Sequence, residues 1–198
     1  MPTLAHAQAI AERLVYLLAP ACNCIDIAGS VRRRKPEPKD LEIVYLPIID
    51  HIPVDLFGAT APHPRTDATI AQLVYDHILR LDDQVRRNGP KYKRLIYCAT
   101  GMVVELFAAT PQNYGLILAL RTGPALFSRG CVTSECIGGA MPLGMVMRDG
   151  QLWRQGQQLD IPTEESFFAA LNLPCWPPEQ RTPERLYAHL DGRKSSGV

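Results

Sequence analysis

A mixed α+β fold is what three features of this chain predict. Apolar residues at helical spacing open it, short strand-like runs carry acids at residues 40, 42 and 105, and Gly-Pro, Asp-Gly and Thr-Pro punctuation breaks the second half into short helices and a hairpin. With 198 residues, 46% of them apolar and 21% charged, there is length for one core or two small subdomains, and a disordered tail is excluded. Lys and Arg number 21 against 20 for Asp and Glu, so a net charge of +1 offers no general electrostatic grip on nucleic acid, and any such grip must be local.

Leu4, Ala7, Ile10, Ala11, Leu14, Leu17 and Leu18 recur at helical spacing, which predicts an amphipathic helix over residues 3–19 that stops at Pro20. Ile25-Asp26-Ile27-Ala28 reads as a strand ending at Gly29, where the absence of a Cβ lets backbone amides approach an anion. Ser30 is placed to cap the next turn and to offer a hydroxyl to a phosphate. Residues 40–45 suit a second strand, whose period of two points Asp40 and Glu42 to one face.

Residues 46–69, rich in Pro and His without clear period, read as a long loop or insertion. Ile70, Leu73, Val74, His77, Ile78 and Leu81 predict a second helix with His77 at the edge of the core. Residues 94–99 and 102–108 read as strands joined at Thr100-Gly101, and Glu105 alone interrupts the second apolar run. From Tyr114 onward a helix follows Gly123-Pro124 and a hairpin turns at Asp149-Gly150. Thr163 caps a further helix with Glu164 and Glu165 near its positive end, and Pro183 opens the last helix. The resulting division is 1–113, 114–190 and a fraying tail at 191–198.

Six cysteines form no C-x-x-C pair and five histidines no ligand spacing, so zinc is not expected. Cys98 fits a small core residue and the set fits a reducing compartment. The N-terminus has no basic n-region and no apolar run approaches the roughly 18 residues of a membrane span, which makes the cytoplasm the default and excludes a membrane partner.

The chemistry concentrates in Gly29-Ser30, the cations Arg32-Arg33-Arg34-Lys35, and Asp40-Leu41-Glu42. Phosphoryl transfer needs the charge of a triphosphate neutralised, commonly by two hard divalent ions held by carboxylates. Asp40 and Glu42 supply two such ligands. Glu105, which would cost several kcal/mol unpaired in an apolar strand, supplies a third. Taken singly, each piece is better read as solvated edge charge or a surface turn; together and in this order they point to nucleotidyl transfer. A second basic stretch, Arg86-Arg87-Asn88-Gly89-Pro90-Lys91-Tyr92-Lys93-Arg94, suits either a loop against a phosphate backbone or a solvated turn.

At Gly29-Ser30-Val31-Arg32-Arg33 and Asp40-Leu41-Glu42 the chain resembles the family X DNA polymerases of the polymerase-beta-like nucleotidyltransferase superfamily, and at their spacing. Leu120-Arg121-Thr122-Gly123-Pro124 stands where that family faces the sugar of the incoming nucleotide, and residues 124–129 where its thumb helix begins. Met147 to Gln151 resembles its thumb hairpin, and residues 173–181 its closing Leu-Pro-aromatic-x-Pro-Pro-Glu-x-Arg signature, so the likeness spans nearly the whole chain. It implies a polymerase-beta-like palm of mixed sheet and helices followed by a small α/β thumb. It further implies two Mg²⁺, with Mn²⁺ as a substitute, on Asp40, Glu42 and Glu105. Gly29, Ser30, Arg33, Leu120, Thr122 and Gly123 would hold a deoxynucleoside triphosphate, and Lys91, Lys93, Arg94 and Arg129 would hold primer-template or gapped DNA.

The implied activity is addition of a deoxynucleotide to a primer 3′ hydroxyl in gap filling or DNA repair, by a monomer in a cell's cytoplasm or, for a viral protein, the host's. Glu42 and Glu105 stand where the family usually has Asp, Leu120 and Arg121 replace aromatics, and neither an N-terminal lyase domain nor a helix-hairpin-helix pattern is visible. Two other readings share the motif: transfer to an untemplated strand end, protein or small-molecule hydroxyl, and a non-catalytic DNA-end binding module.

Overall fold

A computed structural model describes residues 2–55, 57–82 and 88–195. The chain is α+β and divides into two compact units, one of residues 1–27 and 36–110, the other of residues 28–35 and 111–198. The division falls three residues before the expected 113/114, and the short segment carrying Gly29 to Lys35 groups with the second unit.

In the first unit Thr3 caps α1 (Leu4–Leu18), whose Ala7, Ile10, Ala11, Leu14 and Leu18 are buried. Pro20 converts its end into a short 3₁₀ turn. Strands β1 (Cys22–Ile27), β2 (Asp40–Pro47), β5 (Leu79–Leu81), β6 (Tyr92–Tyr97) and β7 (Met102–Ala108) form a sheet in the order β1-β2-β7-β6-β5, antiparallel except for the central parallel pair β2 and β7. Helices α1 and α3 (Arg65–Tyr75) pack on this sheet, over buried Leu41, Ile43, Leu95, Val104 and Leu106. At about 25 cal/mol per Å² of apolar surface, such buried residues supply the dominant favourable term.

Where a loop was expected over residues 46–69, β3 (Ile49–Pro53) and β4 (Thr60–Pro64) pair as a two-stranded ribbon. Proline conceals such strands, because it lacks the N–H of a ladder and is tolerated only on an edge, which both strands of an isolated ribbon are. The second helix is also shorter than the expected run to Leu81. His77, exposed rather than at the core edge, adopts φ +55° just beyond α3, and the apolar residues that follow belong to β5. Cys98, expected in the core, is exposed in the turn after β6.

The second unit opens with a single helical turn, α2 (Gly29–Arg32), and continues through α4 (Tyr114–Thr122) and α5 (Ala125–Cys131). The three-stranded antiparallel sheet of β8 (Met145–Arg148), β9 (Gln151–Arg154) and β10 (Gln157–Leu159) follows, then α6 (Glu164–Ala170) and α7 (Pro183–Ser195). The Thr163 cap is a full capping box with Ser166. Phe127, Phe167, Phe168, Trp176 and Leu186 lie in its core, with Phe127 and Phe168 both edge-on to Trp176, at 6.0 and 6.3 Å between ring centres. Helix α7 continues through Ser195, past the expected start of the tail at Asp191; residues 196–198 lie outside the described residues.

Candidate active site

The first unit carries the acids. Along the start of β2, half-buried Asp40 and Glu42 alternate with fully buried Leu41 and Ile43, which places the two carboxylates on one face as the period of two requires. Parallel pairing sets Glu42 directly opposite Glu105 of β7, with Asp40 opposite Val103. Three acids thus occupy neighbouring positions on one sheet face, and exposed Asp26, opposite Val44, shares it.

Glu105 is committed to partners of its own. Its Oε1 accepts a hydrogen bond from the Tyr92 hydroxyl at 2.6 Å and from Arg94 Nη1 at 2.9 Å. Arg94 stands opposite Glu105 on β6, and its Nε donates to Asp82 at 2.8 Å. Burial and the bond to Glu105 raise the pKa of Tyr92, while the bond to Asp82 above all raises that of Arg94. These bonds answer the cost of a carboxylate in an apolar strand without a metal. The oxygen donors suit a hard cation such as Mg²⁺, yet among the described residues no group of three or more acid, His or Cys side chains is gathered closely enough to hold one as placed.

The second unit carries the Gly-Ser turn. Gly29 adopts φ +64°, a left-handed conformation that glycine reaches without strain. Ser30 does not cap the turn as expected: Ala28 occupies the cap position, and the Ser30 hydroxyl oxygen is buried with no hydrogen-bond partner among the described residues. A buried hydroxyl without a partner is costly.

Behind the turn lies a network that the sequence did not reveal. Arg32 grips Glu164 with both prongs, Nη1 to Oε1 at 2.9 Å and Nη2 to Oε2 at 2.7 Å, and donates to Thr122 Oγ1 at 2.7 Å. Arg181 donates to Glu164 Oε1 and to the Trp176 carbonyl, and stacks 4.9 Å from the Phe168 ring centre. Burial alone would raise the pKa of Glu164, but the hydrogen bonds of Arg181 and Arg32 outweigh it and hold the carboxyl below its usual range. The available signals were an acid at the start of a helix and an Arg closing an apolar signature; neither names its partner.

Of the residues expected at the nucleotide, Arg33 donates to the Thr122 carbonyl, and Thr122 is fully buried with its hydroxyl on Arg32. Half-buried Leu120 accepts from Ser128 Oγ at 2.7 Å. Gly123 is needed for closeness: a Cβ there would stand 2.6 Å from Ser128 Oγ and 2.7 Å from Phe127 Cδ1. Of the cations expected at DNA, Arg94 is turned onto the sheet face, and Lys93 pairs with Asp67 at 3.2 Å. Lys91 and Arg129 are exposed, whereas Arg86 and Arg87 lie outside the described residues.

No family model and no curated protein matches the chain. Among the described residues no helix is long and apolar enough to cross a membrane.

Proposed function

We propose that the chain is a Mg²⁺-dependent nucleotidyltransferase that adds a deoxynucleotide to a DNA primer 3′ hydroxyl, as in gap filling. The observation that best supports this reading is the register of β2 and β7, which pairs Glu42 with Glu105 and keeps Asp40 on the same face. Asp40, Glu42 and Glu105 would hold the divalent ions, which supply charge neutralisation of a triphosphate and acidification of the attacking hydroxyl. The Gly29-Ser30 turn, with its partnerless hydroxyl, and Arg33 would bind phosphate oxygens. Glu105 would hold the ion beside the primer 3′ hydroxyl, and exposed Lys91 and Arg129 would contact DNA backbone.

Primer extension with Mg²⁺ on templated, gapped and single-stranded DNA, each with deoxy- and ribonucleotides, tests this. Asp40→Ala is expected to slow extension roughly a hundredfold or more, and an Asp40→Ala protein of full activity sinks the assignment. Labelling of protein or small-molecule hydroxyls without primer extension would move the activity to another acceptor. DNA affinity without Mg²⁺-dependent triphosphate binding would leave a binding module.

A further inference from the structure

We infer that Arg94 and Tyr92 are positioning residues that clamp one oxygen of Glu105 and leave the other for the reaction's divalent ion. The inference rests on the reading of Glu105 as a metal ligand and adds two residues of β6 to it. Both bonds to Glu105 land on Oε1, and among the described residues Oε2 accepts none.

A purely structural Arg-carboxylate pair tends toward the fork, in which two N–H groups meet two oxygens. Arg32 and Glu164 adopt that fork in this molecule. Arg94 does not. It gives Glu105 only Nη1 and turns Nε to Asp82, so that Asp82, Arg94 and Glu105 form a chain in which each group orients the next. Asp82 is 9% exposed, and the Arg94 backbone N–H is held by Asn88 Oδ1 at 3.0 Å, so the anchor of the chain is itself fixed.

Tyr92 reaches the same oxygen diagonally. It stands opposite Phe107, two residues beyond Glu105, and its ring packs on Phe107 at 5.1 Å between centres, which fixes the hydroxyl. Two donors on one oxygen set the rotation of the carboxylate and so aim Oε2, as partners behind a metal ligand commonly do.

The test uses the whole protein. Mn²⁺ is titrated by calorimetry without nucleotide or DNA, and kcat and KM for the deoxynucleoside triphosphate are measured in primer extension. Wild type is expected to bind Mn²⁺ and Glu105→Gln to bind it at least tenfold more weakly. Tyr92→Phe, which removes one oxygen and keeps the ring, is expected to weaken Mn²⁺ about fivefold and lower kcat about tenfold with KM nearly unchanged. Arg94→Gln should exceed both losses, and Arg94→Lys, which cannot reach Asp82 and Glu105 together, should recover only part of them. If Glu105→Gln loses Mn²⁺ while Tyr92→Phe and Arg94→Lys keep wild-type affinity and kcat, the clamp is overturned and the metal reading stands. If wild type binds no Mn²⁺, or Glu105→Gln binds it normally, the metal reading of Glu105 fails and the clamp falls with it.

Discussion

Two glutamates in this molecule meet arginines in opposite ways. Glu164 is 8% exposed, and both its oxygens are taken by Arg32 and Arg181 inside an aromatic core. Glu105 has a side chain 17% exposed, and both its bonds fall on one oxygen. A saturated, buried carboxylate has no capacity left for a ligand and serves the fold. A carboxylate with an open oxygen on a sheet face shared with two other acids is not saturated in this way, and under the proposed reading its bonds would serve orientation.

The largest effect expected on stability is at Glu164. Replacement by Ala leaves two guanidinium groups without their carboxylate, at a cost of about 3–5 kcal/mol and a fall in melting temperature of about 10 °C, readable by thermal denaturation. Gly123→Ala comes next, at about 1–3 kcal/mol by overpacking against Phe127 and Ser128, measured by denaturant unfolding. Glu105→Gln is expected to cost at most about 1 kcal/mol while suppressing primer extension, and equal stability losses at the two glutamates would break the comparison.

Acid titration sharpens it. The carboxyl of Glu164 is held below its ordinary value of 4.5, so its contribution is fully present above that pH and is lost as pH falls through the lower folded value. Wild type should therefore lose stability more steeply than Glu164→Gln below about pH 4.5, and parallel curves would refute the assignment. The smallest effect is expected at the exposed pair of Asp50 and Arg65, where Asp50→Ala should leave the melting temperature unchanged despite two hydrogen bonds.

Much of the fold was legible where one period dominates. The opening helix, the alternation around Asp40 and Glu42, and the turn between the strands that flank residues 98–101 all follow from spacing alone. Spacing failed where two patterns competed. Ile78 and Leu81 continued a helical period past Tyr75, but the left-handed His77 ended it and Leu79 to Leu81 entered the sheet. Cys98 continued an apolar run and is exposed in the turn, since a run alone does not say where a strand ends. The ribbon of residues 49–64 stayed hidden behind its prolines.

The acids of the candidate site were legible as types at a spacing, and their cationic surroundings were not. Arg32, Arg33, Arg34 and Lys35 are one run in sequence, yet Arg32 bonds Glu164, Arg33 the Thr122 carbonyl, and Arg34 pairs with exposed Glu179. Arg94, expected at DNA, bonds Asp82 and Glu105. Charge is visible in sequence, whereas the partner of a charge separated by tens of residues is chosen by topology.

By itself the sequence determined the α+β class, the face shared by Asp40 and Glu42, and the glycine at position 29, because each depends on local backbone geometry with a period of a few residues. Only the tertiary structure decided that Glu105 lies opposite Glu42, that Arg94 and Tyr92 hold one of its oxygens, and that Glu164 closes on Arg32 and Arg181. Those pairings depend on strand order and register across long separations, where the choice is made by the burial of whole faces rather than by any one residue's preference.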